Sequence, residues 1–123
     1  MKIRTSFVSN SSSCSFIITN TSKEVLTIVD FAKENPQLVK DFVDQYNFSK
    51  IGIKELNQEN LIESAENRLK SDKGQHYIFK PKQKRILAFG DEDGDVIGNV
   101  FDYMLRDGGK SKNFKWKISE MLR

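Results

Sequence analysis

Apolar and polar positions recur along this chain with two different periods, and the changes of period mark its elements. The run Phe16-Ile17-Ile18, with Thr19 after it, reads as a buried strand. Thr21-Ser22-Lys23-Glu24 has capping-box spacing and predicts a helix whose apolar stripe is Val25, Ile28, Val29 and Ala32. Asn35-Pro36 interrupts that stripe, and proline suits the first position of a new helix. In this second helix Leu38, Val39, Phe42, Val43 and Tyr46 face inward, while Lys40, Asp41, Asp44 and Gln45 face water. The two helices are expected to pair as a hairpin. Phe48 to Leu56, containing Ile51-Gly52-Ile53, fits either a short strand or an apolar loop. Helical spacing returns at Leu61, Ile62, Ala65 and Leu69, predicting a third helix from Gln58 to Lys70 with Glu59, Glu63, Glu66 and Lys70 outward.

From Gly74 the period shortens. His76 to Lys80 and Arg85 to Phe89 read as two strands joined by a tight turn led by Pro81, hence an antiparallel hairpin whose second strand is the more central. Gly90 to Gly94 is an acidic turn. Asp95 can cap a fourth helix that buries Val96, Ile97, Val100, Phe101, Met104 and Leu105 and ends at Gly108-Gly109. Phe114-Lys115-Trp116-Lys117-Ile118 alternates strictly, as a strand with one buried and one lysine-bearing face does. The expectation is an α+β domain over residues 1–123, with one mostly antiparallel sheet of about four strands and about four helices packed on it. Residues 1–15 form a serine-rich amino-terminal segment, expected to be a loop whose hydroxyls bond nearby backbone.

Composition narrows the class. Apolar residues are 37% and charged residues 30% of the chain, the balance of a globular protein rather than a disordered one. The longest apolar runs, such as Ile86 to Phe89, are too short to span a bilayer. Lys2 and Arg4 are followed by serines where a secretory signal needs an apolar stretch, so a cytoplasmic location is expected. Cys14 is the only cysteine and His76 the only histidine, which excludes an intrachain disulfide and a CxxC site. Cys14 among serines reads as filling a place that any small polar residue could take, and His76 beside Tyr77 as a strand residue rather than half of a thiol–imidazole pair.

Charge is more informative in its distribution than in its net value of +3. Arg68 to Arg85 carries +6, Asp91 to Asp102 carries −5, and Arg106 to Arg123 carries +4. The acidic turn Asp91-Glu92-Asp93-Gly94-Asp95 is the most enzyme-like feature, since clustered carboxylates hold Mg²⁺ or Ca²⁺. Counted as an EF-hand loop it fails, because Val96 stands where the sharp turn needs glycine and Asp102 where glutamate belongs. It is read instead as a solvated turn and helix cap. Lys80, Lys82, Lys84 and Arg85, together with Lys110, Lys112, Lys115 and Lys117, are candidates for a nucleic-acid-binding face. Tyr77 and Trp116 would stack bases if they pointed outward, although the alternation turns Trp116 inward. The residues singled out for binding are Lys82, Lys84, Arg85, Lys110, Lys112, Asp91, Glu92 and Asp93. No Ser-His-Asp set, HExxH, CxxC or GxGxxG is present, and no catalytic residue, cofactor or metal is assigned. A small nuclease built on Asp91, Glu92, Asp93 and Lys112 is the enzymatic alternative.

The opening Met1-Lys2-Ile3-Arg4-Thr5-Ser6-Phe7-Val8-Ser9-Asn10, the serines to Ser15 broken by Cys14, and then Phe16-Ile17-Ile18 resemble the amino terminus of small uncharacterised proteins of bacteriophages and bacterial mobile elements. The resemblance covers about eighteen residues and rests on Arg4, Phe7, Val8, Asn10 and Phe16. It implies a phage context and no established activity. Small phage accessory proteins often bind and block a host protein. The leading expectation is therefore a non-enzymatic accessory protein whose partner is a host protein or protein–nucleic-acid complex. The alternative is a small nucleic-acid-binding protein.

Overall fold

Alternation puts Cys14, Phe16 and Ile18 on one side of the first strand with no exposure at all, and Ser15, Ile17 and Thr19 half-buried on the other. The computed structural model describes residues 13–47, 50–51, 54–90 and 93–121. In chain order they form β1 (Ser13–Asn20), β2 (Leu26–Thr27), α1 (Ile28–Glu34), α2 (Gln37–Tyr46), β3 (Lys50–Ile51), β4 (Lys54–Glu55), α3 (Gln58–Lys70), a 3-10 turn (Gly74–Tyr77), β5 (Ile78–Phe79), β6 (Lys84–Gly90), α4 (Val96–Met104), β7 (Gly109–Lys110) and β8 (Phe114–Met121). The fold is α+β. Its main sheet is antiparallel in the order β6-β1-β8-β7, and β2-β5 and β3-β4 make two small ribbons. No described helix is long and apolar enough to cross a membrane.

The helices lie over the face that carries Phe16, Ile18, Leu87, Phe89, Phe114 and Trp116. Phe31 of α1 is the hub of the core, meeting Phe101, Phe114 and Trp116 edge-on at ring distances of 5.3, 5.1 and 5.2 Å. Gly109 makes room for the indole beside it, because a Cβ there would come within 2.6 Å of Trp116 Cζ2. The chain turns after α4 through Gly108 at φ +75°, a conformation that favours glycine.

Several elements fall where the periodicity puts them. Gln58–Lys70 is helical with Asn57 as its cap, Asp95 caps α4 by accepting from the Gly98 N–H at 3.0 Å, and β8 buries Phe114 and Trp116 with Lys115 and Lys117 exposed. The open segment before α3 contains the β3-β4 ribbon.

The first helix does not start at Thr21. Asn20 is fully buried, and its Nδ2 donates to the carbonyls of Glu24, Phe79 and Lys80 while its Oδ1 accepts from Ser22 N and Oγ. Residues 21–25 are thereby drawn into a bend and Val25 is left 60% exposed. The capping box passes to Thr27 and Asp30, with Thr27 N–H donating to Asp30 Oδ2 at 2.9 Å.

The expected hairpin between residues 76–80 and 85–89 is not formed either. His76 lies in the 3-10 turn rather than a strand, β5 pairs with β2, and β6 pairs with β1 as an edge strand of the main sheet. Phe79 has no exposure and belongs to the core, and the Arg85 side chain bridges the two segments by donating to the Ile78 and Gln75 carbonyls at 3.1 and 3.2 Å.

Candidate functional site

The second face of the main sheet is its chemically distinct surface. Register aligns Lys84, Thr19, Lys115 and Lys110 as one row across all four strands, and Ile86, Ile17 and Lys117 as the next. With strands about 4.8 Å apart, the first row spans about 14 Å. The four lysines are exposed, and among the described residues none of them makes a salt bridge. Lys110 stands directly opposite Lys115, an arrangement that destabilises a sheet by like-charge repulsion. Ile17, Thr19, Lys84, Lys110, Lys115 and Lys117 line a shallow trough of about 480 Å³ on this face. Beside it Ile86 is 66% exposed. The acidic counterpart is elsewhere: Glu59, Glu63 and Glu66 on α3 line a cleft with Lys54, whose Nζ donates to Glu63 at 2.6 Å.

The lysine rows are held in place from the β7-β8 turn. Glu34, at the end of α1, accepts from Ser111 Oγ, from Asn113 N–H at 2.7 Å and from Asn113 Nδ2 at 2.9 Å. Burial pushes the Glu34 carboxyl up, but these donors and the nearby Lys112 cation outweigh it, so its pKa is lowered overall. The anionic clamp fixes the turn from which Lys110 and Lys115 project.

The residues singled out from the sequence separate into three groups. Lys84 and Lys110 lie on the trough, while Lys82 and Lys112 are exposed on turns at its end, with Lys82 Nζ donating to the Thr21 carbonyl at 2.6 Å. Arg85 points away and is spent on the two backbone carbonyls described above. Asp93 belongs to a different constellation, and Asp91 and Glu92 lie outside the described residues, as does the serine-rich segment through residue 12.

That constellation is an arginine clamp. Arg68 of α3 has a side chain only 12% exposed; it meets Asp93 at 2.7 Å and Asp95 at 2.9 Å, donates to Tyr77 Oη at 3.0 Å, and lies 5.0 Å from the centre of the Phe89 ring. Burial works against its charge, but the two carboxylates more than compensate and the pKa is raised. Asp93 and Asp95 of the acidic turn thus share a cation 25 residues earlier than Asp93 in the chain, and the pairing ties α3 to the start of α4. Asp93 follows the end of β6 that pairs with Ser13, whereas Lys112 precedes the end of β8 that pairs with Asn20. An eight-residue strand separates them, so Asp93 and Lys112 are not brought together. Among the described residues no group of three His, Cys, Asp or Glu side chains is disposed to hold a metal ion.

The stacking residues are turned inward. Trp116 is 7% exposed and Tyr77 packs against the core. Cys14 is fully buried, while His76 is exposed on the 3-10 turn. A buried carboxylate was not singled out from the sequence: Asp102 in α4 has no exposure and accepts from Arg106 Nη2 at 3.1 Å, with the Arg106 guanidinium 4.7 Å from the Tyr103 ring centre. Its i, i+4 spacing to Arg106 was the available signal. Ile86 was hidden within an apolar run in which only Leu87 and Phe89 turn inward. Compared with protein-family models, curated proteins and solved structures, the chain matches none significantly.

Proposed function

We propose that this chain is a non-enzymatic binding protein that receives an anionic partner on the lysine-bearing face of its main sheet. One observation carries the proposal: Lys84, Lys110, Lys115 and Lys117 share one face without a salt-bridge partner among the described residues, and two of them directly oppose each other. An anionic surface would relieve that repulsion and be steered toward it. Retention on immobilised heparin tests the idea. The Lys84→Glu/Lys115→Glu variant is expected to elute at much lower salt than the unmodified chain, with its fold intact by circular dichroism because both positions are exposed. Equal retention of the two would sink the proposal.

A second reading is a host protein with an acidic rim, blocked by a phage-type accessory factor in the bacterial cytoplasm. The exposed Ile86 and Ala88 favour it, since protein interfaces place apolar contacts inside a polar rim. The resemblance of the opening residues to phage proteins supports the same setting.

A further inference from the structure

We infer that the anionic partner is a single-stranded nucleic acid, an inference that rests on the binding role assigned to the lysine face. Three features of the face distinguish this occupant from others. Lysine is depleted at the cores of protein–protein interfaces but binds phosphate as a compact point charge. Lys115 and Lys117 project from alternate positions of β8, about 6.6 Å apart along the strand, so that consecutive phosphates of an extended chain can each meet a cation. Ile17 and the 66%-exposed Ile86 form an apolar floor next to the cations. A single strand offers unpaired bases to such a floor, whereas a duplex presents its phosphates and keeps its base faces stacked inside.

Trp116 borders the trough, but it is 7% exposed and its ring packs edge-on with Phe31 in the core, so no described aromatic ring on this face is open for base stacking. Binding is accordingly carried by phosphates and insensitive to sequence. Four lysine–phosphate contacts to a single strand give a salt slope near −3, an affinity loss of about fifty-fold between about 50 and about 200 mM salt.

Fluorescence anisotropy with a labelled thymidine oligonucleotide, a mixed-sequence duplex, heparin and poly-glutamate tests the inference on the full chain. The expected result is preference for the oligonucleotide with that salt dependence. Lys115→Ala should reduce the loss over the same salt range to about eighteen-fold. Ile86→Ser, at an exposed site that does not support the core, should weaken oligonucleotide binding about fivefold and leave heparin binding unchanged. Equal binding of duplex, heparin and oligonucleotide with no effect of Ile86→Ser would overturn the single-strand inference and leave the anion-binding face standing, as would selective binding of poly-glutamate. Binding of none of the four probes would overturn both.

Discussion

The two faces of one sheet treat positive charge in opposite ways. On the helix-covered side and its margins the described arginines are all consumed within the protein: Arg68 by Asp93 and Asp95, Arg85 by backbone carbonyls, and Arg106 by Asp102. On the other side Lys84, Lys110, Lys115 and Lys117 project from the same strands with no such partner among the described residues. Arginine's planar fork suits fixed internal acceptors, while lysine's ammonium on a flexible stem stays hydrated and available. One face therefore supplies stability and the other supplies unspent charge. The largest expected effect tests the first half of that division. Phe31→Ala removes the hub of four aromatic rings and should cost about 4 kcal/mol in urea unfolding, whereas Ile86→Ala on the far face should change stability little. Comparable losses at the two positions would break the comparison.

Asn20 comes next. It stands at the last position of β1, where the sheet meets the bend and β5, and three carbonyls and two Ser22 donors depend on its amide. Asn20→Ala leaves several buried polar groups without partners and should cost about 3 kcal/mol in the same measurement. A loss below about 1 kcal/mol would mean that water replaces the amide and that the joint does not hold the fold.

Asn20 also marks the boundary between what was legible in the sequence and what was not. Local patterns read correctly where they depend on neighbours within a few residues: Leu38, Val39 and Phe42 of the α2 stripe, the Gln58 start of α3, the Asp95 cap of α4 and the alternation of β8, whereas Tyr46, placed at the end of that stripe, is 43% exposed. The first helix was misplaced because the Thr21-to-Glu24 spacing is a local signal, overruled by Asn20 bonding to Phe79, 59 residues away. The 76–89 hairpin failed likewise, since adjacency along the chain favoured β5 with β6 while burial of Phe79 favoured β5 with β2. For the site, each lysine's outward direction was readable from alternation, but their assembly into rows needs the order β6-β1-β8-β7, which no local pattern encodes. The acidic turn reads as chemistry in the sequence because Arg68, the cation that pairs with its Asp93 and Asp95, lies on another element.

Glu34 links the two faces, as a carboxylate from the helix layer that orders the turn between two lysine-bearing strands. Its pKa is lowered in the folded protein from the ordinary 4.5, so the stability it contributes is fully present above that value and is lost as pH falls through the lowered one. Glu34→Gln should therefore cost about 1 kcal/mol at neutral pH. The gap between the two proteins should close on acidification below the ordinary value, a trend that urea unfolding across pH would follow. A gap that stayed constant would show that shape, not charge, holds the turn.

The smallest expected effect is the sharpest, because its sign is opposite to the others. Lys110 faces Lys115 across β7 and β8, and like charges in direct opposition disfavour the pairing. Lys110→Gln keeps most of the side chain's length but removes the repulsion, so it should raise stability by about 0.3 kcal/mol at low salt while weakening polyanion binding. The gain should fade as added salt shortens the Debye length, whereas a gain from strand propensity alone would persist. Stability and binding moving in opposite directions is the signature of a face kept charged for a partner. A variant neutral in both would reduce the lysine rows to solvated surface, and the contrast between the two faces would then concern packing alone.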